Sequence, residues 1–308
     1  MPLPVIAIFG PTAVGKTAVA VGVAQKLRAA GQNPVAIGVD ALQVYDGLPL
    51  ITAQPTPDEH SELEHRLVGF VPLTETWSVA QHTELAHREI DDALAAGRVP
   101  IVVGGTGLYL RSALTDLTLA PAPEAGLRDK LAARADEPGG LEALYAELEE
   151  LDPVSAALMH PNDRTRIMRA HELLAAGKSF ADASGQDELW TDDTRVPTVL
   201  VGLTMERSAL RKRAGERMRA MVEAGAIEEV RAAAEADIGP TAAAAVGFRE
   251  LFYGEVDIAV TKTRQLAKRQ ETWMRRLGGV TILDVTARTP DDVADEIVRR
   301  WQDAASEG

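Results

Sequence analysis

No cysteine occurs anywhere in the 308 residues. That absence excludes disulfides, cysteine-based zinc sites and a cysteine nucleophile. No apolar run approaches the length needed to span a bilayer, and Met1-Pro-Leu-Pro4 runs into the first strand without a charged leader or cleavage site. A cytoplasmic protein with no membrane partner is the expectation. Positive charge is scarce: 32 Lys and Arg face 46 Asp and Glu, for a net charge of −14. An acidic surface repels phosphate, which argues against loose, non-specific nucleic-acid binding but leaves room for a local basic groove. The six histidines lack metal-ligand spacing, because His60/His65 and His82/His87 lie five apart and fall off a common helix face. Internal repeats, low-complexity tracts and heptads are also absent. The 46% apolar content is enough for a sizeable core, so one large domain, or a core with an insertion, is expected.

What is present begins at Val5-Ile-Ala-Ile-Phe9, a buried strand, followed by Gly10-Pro11-Thr12-Ala13-Val14-Gly15-Lys16-Thr17. This turn fits G-x-x-x-x-G-K-[ST]. Its glycines let the backbone wrap so that N–H groups and a helix N-terminus converge on one anion. Lys16 adds a cation, and the Thr17 hydroxyl can hold a magnesium ion that also touches phosphate. The alternative is an ordinary strand-to-helix turn. The flanking strand and the helix spacing of Val19, Val23 and Leu27 favour a diphosphate or triphosphate site.

A second apolar run, Val35–Val39, ends at Asp40, and a third, Pro100–Val103, breaks into Gly104-Gly105-Thr106-Gly107. Ser78-Val-Ala-Gln81 is a capping box that opens the intervening helix. Strands alternating with helices predict an α/β fold with a parallel sheet, and ligands in such sheets bind beyond the carboxyl ends of strands. Both the P-loop and Asp40 fall there. Asp40 is a candidate general base or, alternatively, a cap or a partner of magnesium. Gln43, in a loop read as irregular and polar, could match an adenine edge or simply stabilise the loop. Thr106 is either a ligand contact or a turn residue. The third strand lacks the terminal acid that P-loop ATPases use for magnesium, so the bound phosphate reads as a leaving group.

Beyond Leu117 the texture turns helical, with Pro121 and Pro123 marking the boundary. Residues 118–195 are expected to form an all-helical insertion, leaving 1–117 and 196–308 as the α/β core. Asn162 or Asp163 is the expected N-cap of the helix that carries Arg166. Strands are expected at 196–202 and 280–285, and a final helix after Thr289-Pro290. Arg207, Arg211, Lys212, Arg213, Arg217 and Arg219 cluster in one segment, and Lys262 to Arg276 carries a second basic run.

Seven segments in order resemble the tRNA dimethylallyltransferases (tRNA isopentenyltransferases). They are Gly10–Thr17, Asp40-Ala41-Leu42-Gln43-Val44-Tyr45, Thr52–Thr56, Val103–Tyr109, His160–Asp163 with Arg166, Val246-Gly247-Phe248-Arg249-Glu250, and Thr263–Gln270 with Trp273. The resemblance spans residues 4–277 and implies a P-loop NTPase-like core. It also implies transfer of the dimethylallyl group from dimethylallyl diphosphate to the N6 amine of the adenosine 3′ of the anticodon. The implied partner is a tRNA anticodon stem-loop, the implied cofactor Mg2+, and a monomer is expected. In this reading Asp40 is the base and Thr106 sits beside the reacting centre. Gly10–Thr17 with Arg264 or Arg269 holds the diphosphate. Asp40–Gln43, Thr106, Arg166 and Gly247–Arg249 contact tRNA. Ala41, Gln54, Phe248 and Leu266 depart from the usual family residues. The competing readings are an adenylate isopentenyltransferase, a small-molecule kinase and a non-catalytic RNA-binding protein.

Overall fold

The computed structural model describes residues 3–117, 124, 126–183 and 188–307. Pro121, Pro123 and Gln186 lie outside the described residues. The chain divides into two compact units, 1–116 with 190–308, and 117–189.

Among the described residues the first unit is built on six strands, β1 (Val5–Phe9), β2 (Pro34–Gly38), β3 (His65–Arg66), β4 (Val99–Gly104), β5 (Thr198–Thr204) and β6 (Thr281–Asp284). Their order across the sheet is β3-β2-β4-β1-β5-β6, and every pairing is parallel. All five residues of β1 and of β2 are buried, as expected of central strands covered on both faces. Register is set by pairs such as Ile6↔Ile101 and Ile6↔Val199. The α/β class and the parallel sheet are as the sequence predicts. β3 is a departure: two half-buried residues pairing with Ala36 and Ile37, too short to leave an apolar pattern.

Helices α1 (Lys16–Ala29), α2 (Pro57–Glu62), α3 (Val79–Ala95) and α4 (Gly107–Leu114) follow the first strands. In the second unit come α5 (Leu127–Asp136), α6 (Gly140–Leu151), α7 (Pro153–Ala157), α8 (Arg164–Ala175) and α9 (Phe180–Ala183). The chain returns to the first unit with α10 (Arg207–Glu223), α11 (Ala226–Glu235), α12 (Pro240–Ala243), α13 (Phe248–Phe252), α14 (Val256–Met274) and α15 (Pro290–Glu307). Ser78 and Gln81 form the expected capping box on α3, and Asp163 rather than Asn162 caps α8. Among the described residues no helix is long and apolar enough to cross a membrane.

Three apolar clusters stabilise the first unit. One packs α1 and α15 on the sheet through Val23, Leu27, Ile297 and Trp301. The second packs α3 and α4 through Ile90, Leu110 and Leu114. The third joins Val44, Tyr45 and Leu48 to Met218, Val230, Leu251 and Val260. The loop after Asp40 is irregular, as expected, but it is core-forming, which corrects the reading of it as polar. Val44, Tyr45 and Leu48 are fully buried.

The second unit has its own core around Leu131, Leu144, Leu148 and Ile167. Its buried Glu172 carboxylate accepts hydrogen bonds from Arg128 Nε at 2.6 Å and Arg169 Nη1 at 2.9 Å. Burial works against that charge, but the two arginines outweigh it and hold the carboxyl below its ordinary range.

Candidate active site

The strand order reverses direction at β1, whose neighbours are β4 and β5. A crevice forms where such a switch leaves adjacent loops turning opposite ways. A cavity of about 330 Å³ occupies this end of the sheet, lined by the P-loop, Asp40, Gly104, Gly105 and residues of α10 and α14.

The P-loop turns tightly because Ala13 and Gly15 adopt positive φ, 68° and 106°. A β-carbon on Gly10 would come within 2.9 Å of the Leu203 carbonyl oxygen, so only glycine fits against β5. The amides of Ala13, Gly15, Lys16 and Thr17 donate to no protein acceptor among the described residues. They form the concave set of N–H groups that an anion requires. Lys16 Nζ donates to the carbonyls of Gly10 at 3.0 Å and Pro11 at 3.1 Å. Burial pushes its amine down to about 8, with Arg217 adding to the effect and Asp40 opposing it.

Asp40 follows β2 at the cavity wall. Its Oδ1 accepts Leu42 N–H at 3.0 Å and its Oδ2 accepts the Thr106 hydroxyl at 3.3 Å. Thr106 Oγ1 in turn accepts Ala41 N–H at 3.4 Å. The carboxylate thus stabilises its own turn and also lines the cavity. Gln43 also lines the cavity, and its Nε2 donates to the carbonyls of Thr52 at 3.3 Å and Ala53 at 2.7 Å. Only its oxygen remains to accept a hydrogen from a ligand. Gln54 closes the same loop reciprocally, donating to the carbonyls of Gln43 and Tyr45.

The cations that face the P-loop are Arg213 and Arg217 of α10. A β-carbon on Gly15 would lie 3.7 Å from Arg213 Nη2. No ion pair engages either guanidinium among the described residues. Burial lowers the pKa of Arg217, Glu59 raises it and Arg213 lowers it again. Sequence reasoning places these two residues in a general basic cluster and does not single them out as cavity-lining. Their i, i+4 spacing beside the buried stripe Leu210, Ala214 and Met218 is the available signal.

Arg264 and Arg269, the residues expected to hold diphosphate, do not line this cavity. α14 turns Thr263, Leu266 and Gln270 toward it, an i, i+3, i+7 stripe, and that rotation carries both arginines to other faces. Arg264 crosses α10 at Gly215 and donates to the Arg211 carbonyl at 3.1 Å. Arg269 borders a separate hollow with Arg249 and Lys262. Of the other expected contacts, Phe248 is only 7% exposed and packs in the third core cluster. Gly247 begins α13 at φ 94°. Arg166 is exposed on the first turn of α8 in the second unit.

The cavity lining also includes the apolar side chains of Leu42, Ile51, Met218, Met221, Val246 and Leu266. A phosphate cradle, a carboxylate and apolar side chains lining one cavity suit a ligand that is charged at one end and hydrocarbon at the other. Residues 43–277 match the pattern of the IPP transferase family. The chain belongs to that family.

A tRNA dimethylallyltransferase of Maridesulfovibrio salexigens is 39% identical over 291 residues, covering 89% of this chain and 90% of its own. The crystal structure of the full-length tRNA isopentenylpyrophosphate transferase from Bacillus halodurans superimposes with a TM-score of 0.71 at 31% identity. It covers 99% of this chain and 97% of that one. A eukaryotic dimethylallyltransferase captured acting on tRNA superimposes with a TM-score of 0.73 at 25% identity, covering 99% and 77%. IPP transferases have a P-loop-like fold, and the sheet of this chain is of that kind.

Magnesium has hard oxygen donors to meet here. Thr17 and Asp40 both border the cavity, and among the described residues no group of three or more acids or histidines could hold a metal unaided. That donor set suits Mg2+ held jointly by one or two protein oxygens and substrate phosphates.

Proposed function

We propose that this chain is a tRNA dimethylallyltransferase. It transfers the dimethylallyl group of dimethylallyl diphosphate to the N6 amine of the adenosine 3′ of the anticodon, in tRNAs that read codons starting with U. The observation that carries the reading is one cavity lined together by the P-loop with Lys16, by Arg217, by Asp40 and by the apolar side chains of Leu42, Ile51, Met218 and Leu266.

The diphosphate occupies the P-loop, where the free amides of Ala13, Gly15, Lys16 and Thr17 meet its oxygens. The five-carbon chain rests on Leu42, Ile51, Met218 and Leu266. The amine nitrogen bonds to the allylic carbon as the carbon–oxygen bond to diphosphate breaks. The electron pair of that bond leaves with the diphosphate. Lys16, Arg213 and Arg217 are placed to stabilise the charge that grows there, the effect that dominates many transition states. Asp40 takes the amine proton, held in position by Thr106 and Leu42. The Gln43 oxygen accepts a hydrogen from the adenine amine, which a keto group at the same position could not supply. Magnesium held at Thr17, when bound, neutralises diphosphate charge. The target base leaves its stack to reach the cavity. Arg166, Arg249 and the helical second unit are the proposed tRNA contacts.

Labelled dimethylallyl diphosphate with magnesium tests the reading against an anticodon stem-loop, AMP and no acceptor. Label on the stem-loop alone, abolished in Asp40→Asn, is the expected result. Label on AMP would make the protein a free-nucleotide enzyme, and ATP turnover without prenyl transfer would refute the proposal.

A further inference from the structure

The step just described requires an amine and a leaving oxygen to sit on opposite sides of one carbon. Two turns of the chain therefore have to be held at a fixed spacing: the P-loop after β1 and the Gly104–Thr106 turn after β4. One side chain touches both. Gln270 of α14 is 8% exposed, and its Oε1 accepts Thr12 N–H at 2.7 Å. Its Nε2 lies so close over Gly105 that a β-carbon there would overlap it. The same β-carbon would stand 3.3 Å from the Gly10 carbonyl oxygen, so the two turns meet at this point. One helical turn further along, the Trp273 ring covers Gly107 in the same way. Thr106, between those two glycines, is the residue that donates to Asp40.

We propose that Gln270 is a positioning residue that sets the spacing between the diphosphate cradle and the Thr106–Asp40 pair. The inference rests on the diphosphate site proposed above. By accepting the Thr12 amide, Gln270 withdraws one N–H from the P-loop's anion-facing set. The amides of Ala13, Gly15, Lys16 and Thr17 are left without a protein acceptor among the described residues. By filling the space above Gly105, it stops the β4–α4 turn from sliding toward the loop. A misplacement of about 1 Å between reacting groups can cost on the order of a hundredfold in rate.

Gln270→Leu keeps the bulk and removes both polar atoms. The expected result is a kcat at least about tenfold lower, with KM for the stem-loop and the cooperativity of unfolding unchanged. Affinity for inorganic diphosphate, read by calorimetry, should fall with it. Gly105→Ala pushes the same carboxamide from the other side and should reproduce the kcat loss. In a Gln270→Ala background, where the carboxamide is gone, adding Gly105→Ala should cost little more. Wild-type kcat in Gln270→Leu, or fully additive losses in the Gly105→Ala and Gln270→Ala pair, would overturn the inference. Should Gln270→Leu fail to fold, that pair decides by itself. A wild-type protein that transfers no prenyl group sinks the proposed function instead. Diphosphate affinity across the same variants then still reads the joint.

Discussion

Raising the pH through 8 should loosen the diphosphate, because Lys16 starts from an unusually weak hold on its proton. An ordinary lysine stays charged to about 10.5, whereas burial in the cavity floor lowers Lys16 to about 8. That difference corresponds to roughly 3 kcal/mol of preference for the neutral amine, an upper bound because water reaches the cavity mouth. In the free protein the penalty is fully present below pH 8 and is relieved as the pH rises from 8 toward 10.5. An arriving diphosphate reverses the preference, since an anion beside the amine restores its charge. Binding at pH 8 should therefore take up about half a proton, and affinity at pH 9 should be about tenfold below that at pH 7. Calorimetry with inorganic diphosphate, at fixed magnesium and in buffers of different ionisation enthalpy, measures both quantities. Lys16→Arg, which keeps its charge throughout, should retain only the pH dependence that comes from the ionisation of diphosphate itself. A wild-type profile and proton uptake indistinguishable from those of Lys16→Arg between pH 7 and 9 would refute the assignment of Lys16 to the diphosphate.

Asp40→Asn should lower kcat by about 10²–10⁴ while leaving stem-loop affinity intact, the pattern of a lost general base; single-turnover transfer measures it. Arg217→Gln should cost about 10²–10³ in kcat, as for removal of one donor to a developing oxyanion. Arg269→Gln should leave diphosphate affinity unchanged, and steady-state kinetics on the two variants separates them. In the second unit, Glu172→Ala should destabilise by about 1–2 kcal/mol, because the hydrogen bonds of a buried carboxylate are lost while the arginines that donate them reach solvent. Chemical denaturation reads that loss. The wild-type pair should weaken as the pH falls through the depressed Glu172 pKa.

Much of the architecture, and the family, is legible in the amino-acid sequence. The P-loop is a contiguous turn whose chemistry follows from local backbone geometry, so eight residues suffice to recognise it. β1, β2 and β4 announce themselves as unbroken apolar runs because both their faces are covered. Asp40 and Thr106 are legible because the carboxyl end of a parallel strand is a fixed place in such a sheet. Thr56-Pro-Asp-Glu59, which opens α2, is a capping box of the same kind as Ser78–Gln81, so the start of that short helix also has a local signal.

Tertiary structure decided the rest. The sequence shows which residues are basic, but not the azimuth at which α10 and α14 meet the sheet. Packing chose Arg213 and Arg217 for the cavity and turned Arg264 and Arg269 away. Polarity suggests a surface loop after Asp40, yet Tyr45 and Leu48 are fully buried because α10–α14 cover them. The contact between Gln270 and Thr12 joins residues 258 positions apart, and no local pattern can encode such a bond. Sequence determined the anion cradle, the sheet and the chemistry available to it, since those arise from neighbours along the chain. The spacing of the reacting groups was left to the fold, because it depends on helices that meet only once the core has closed.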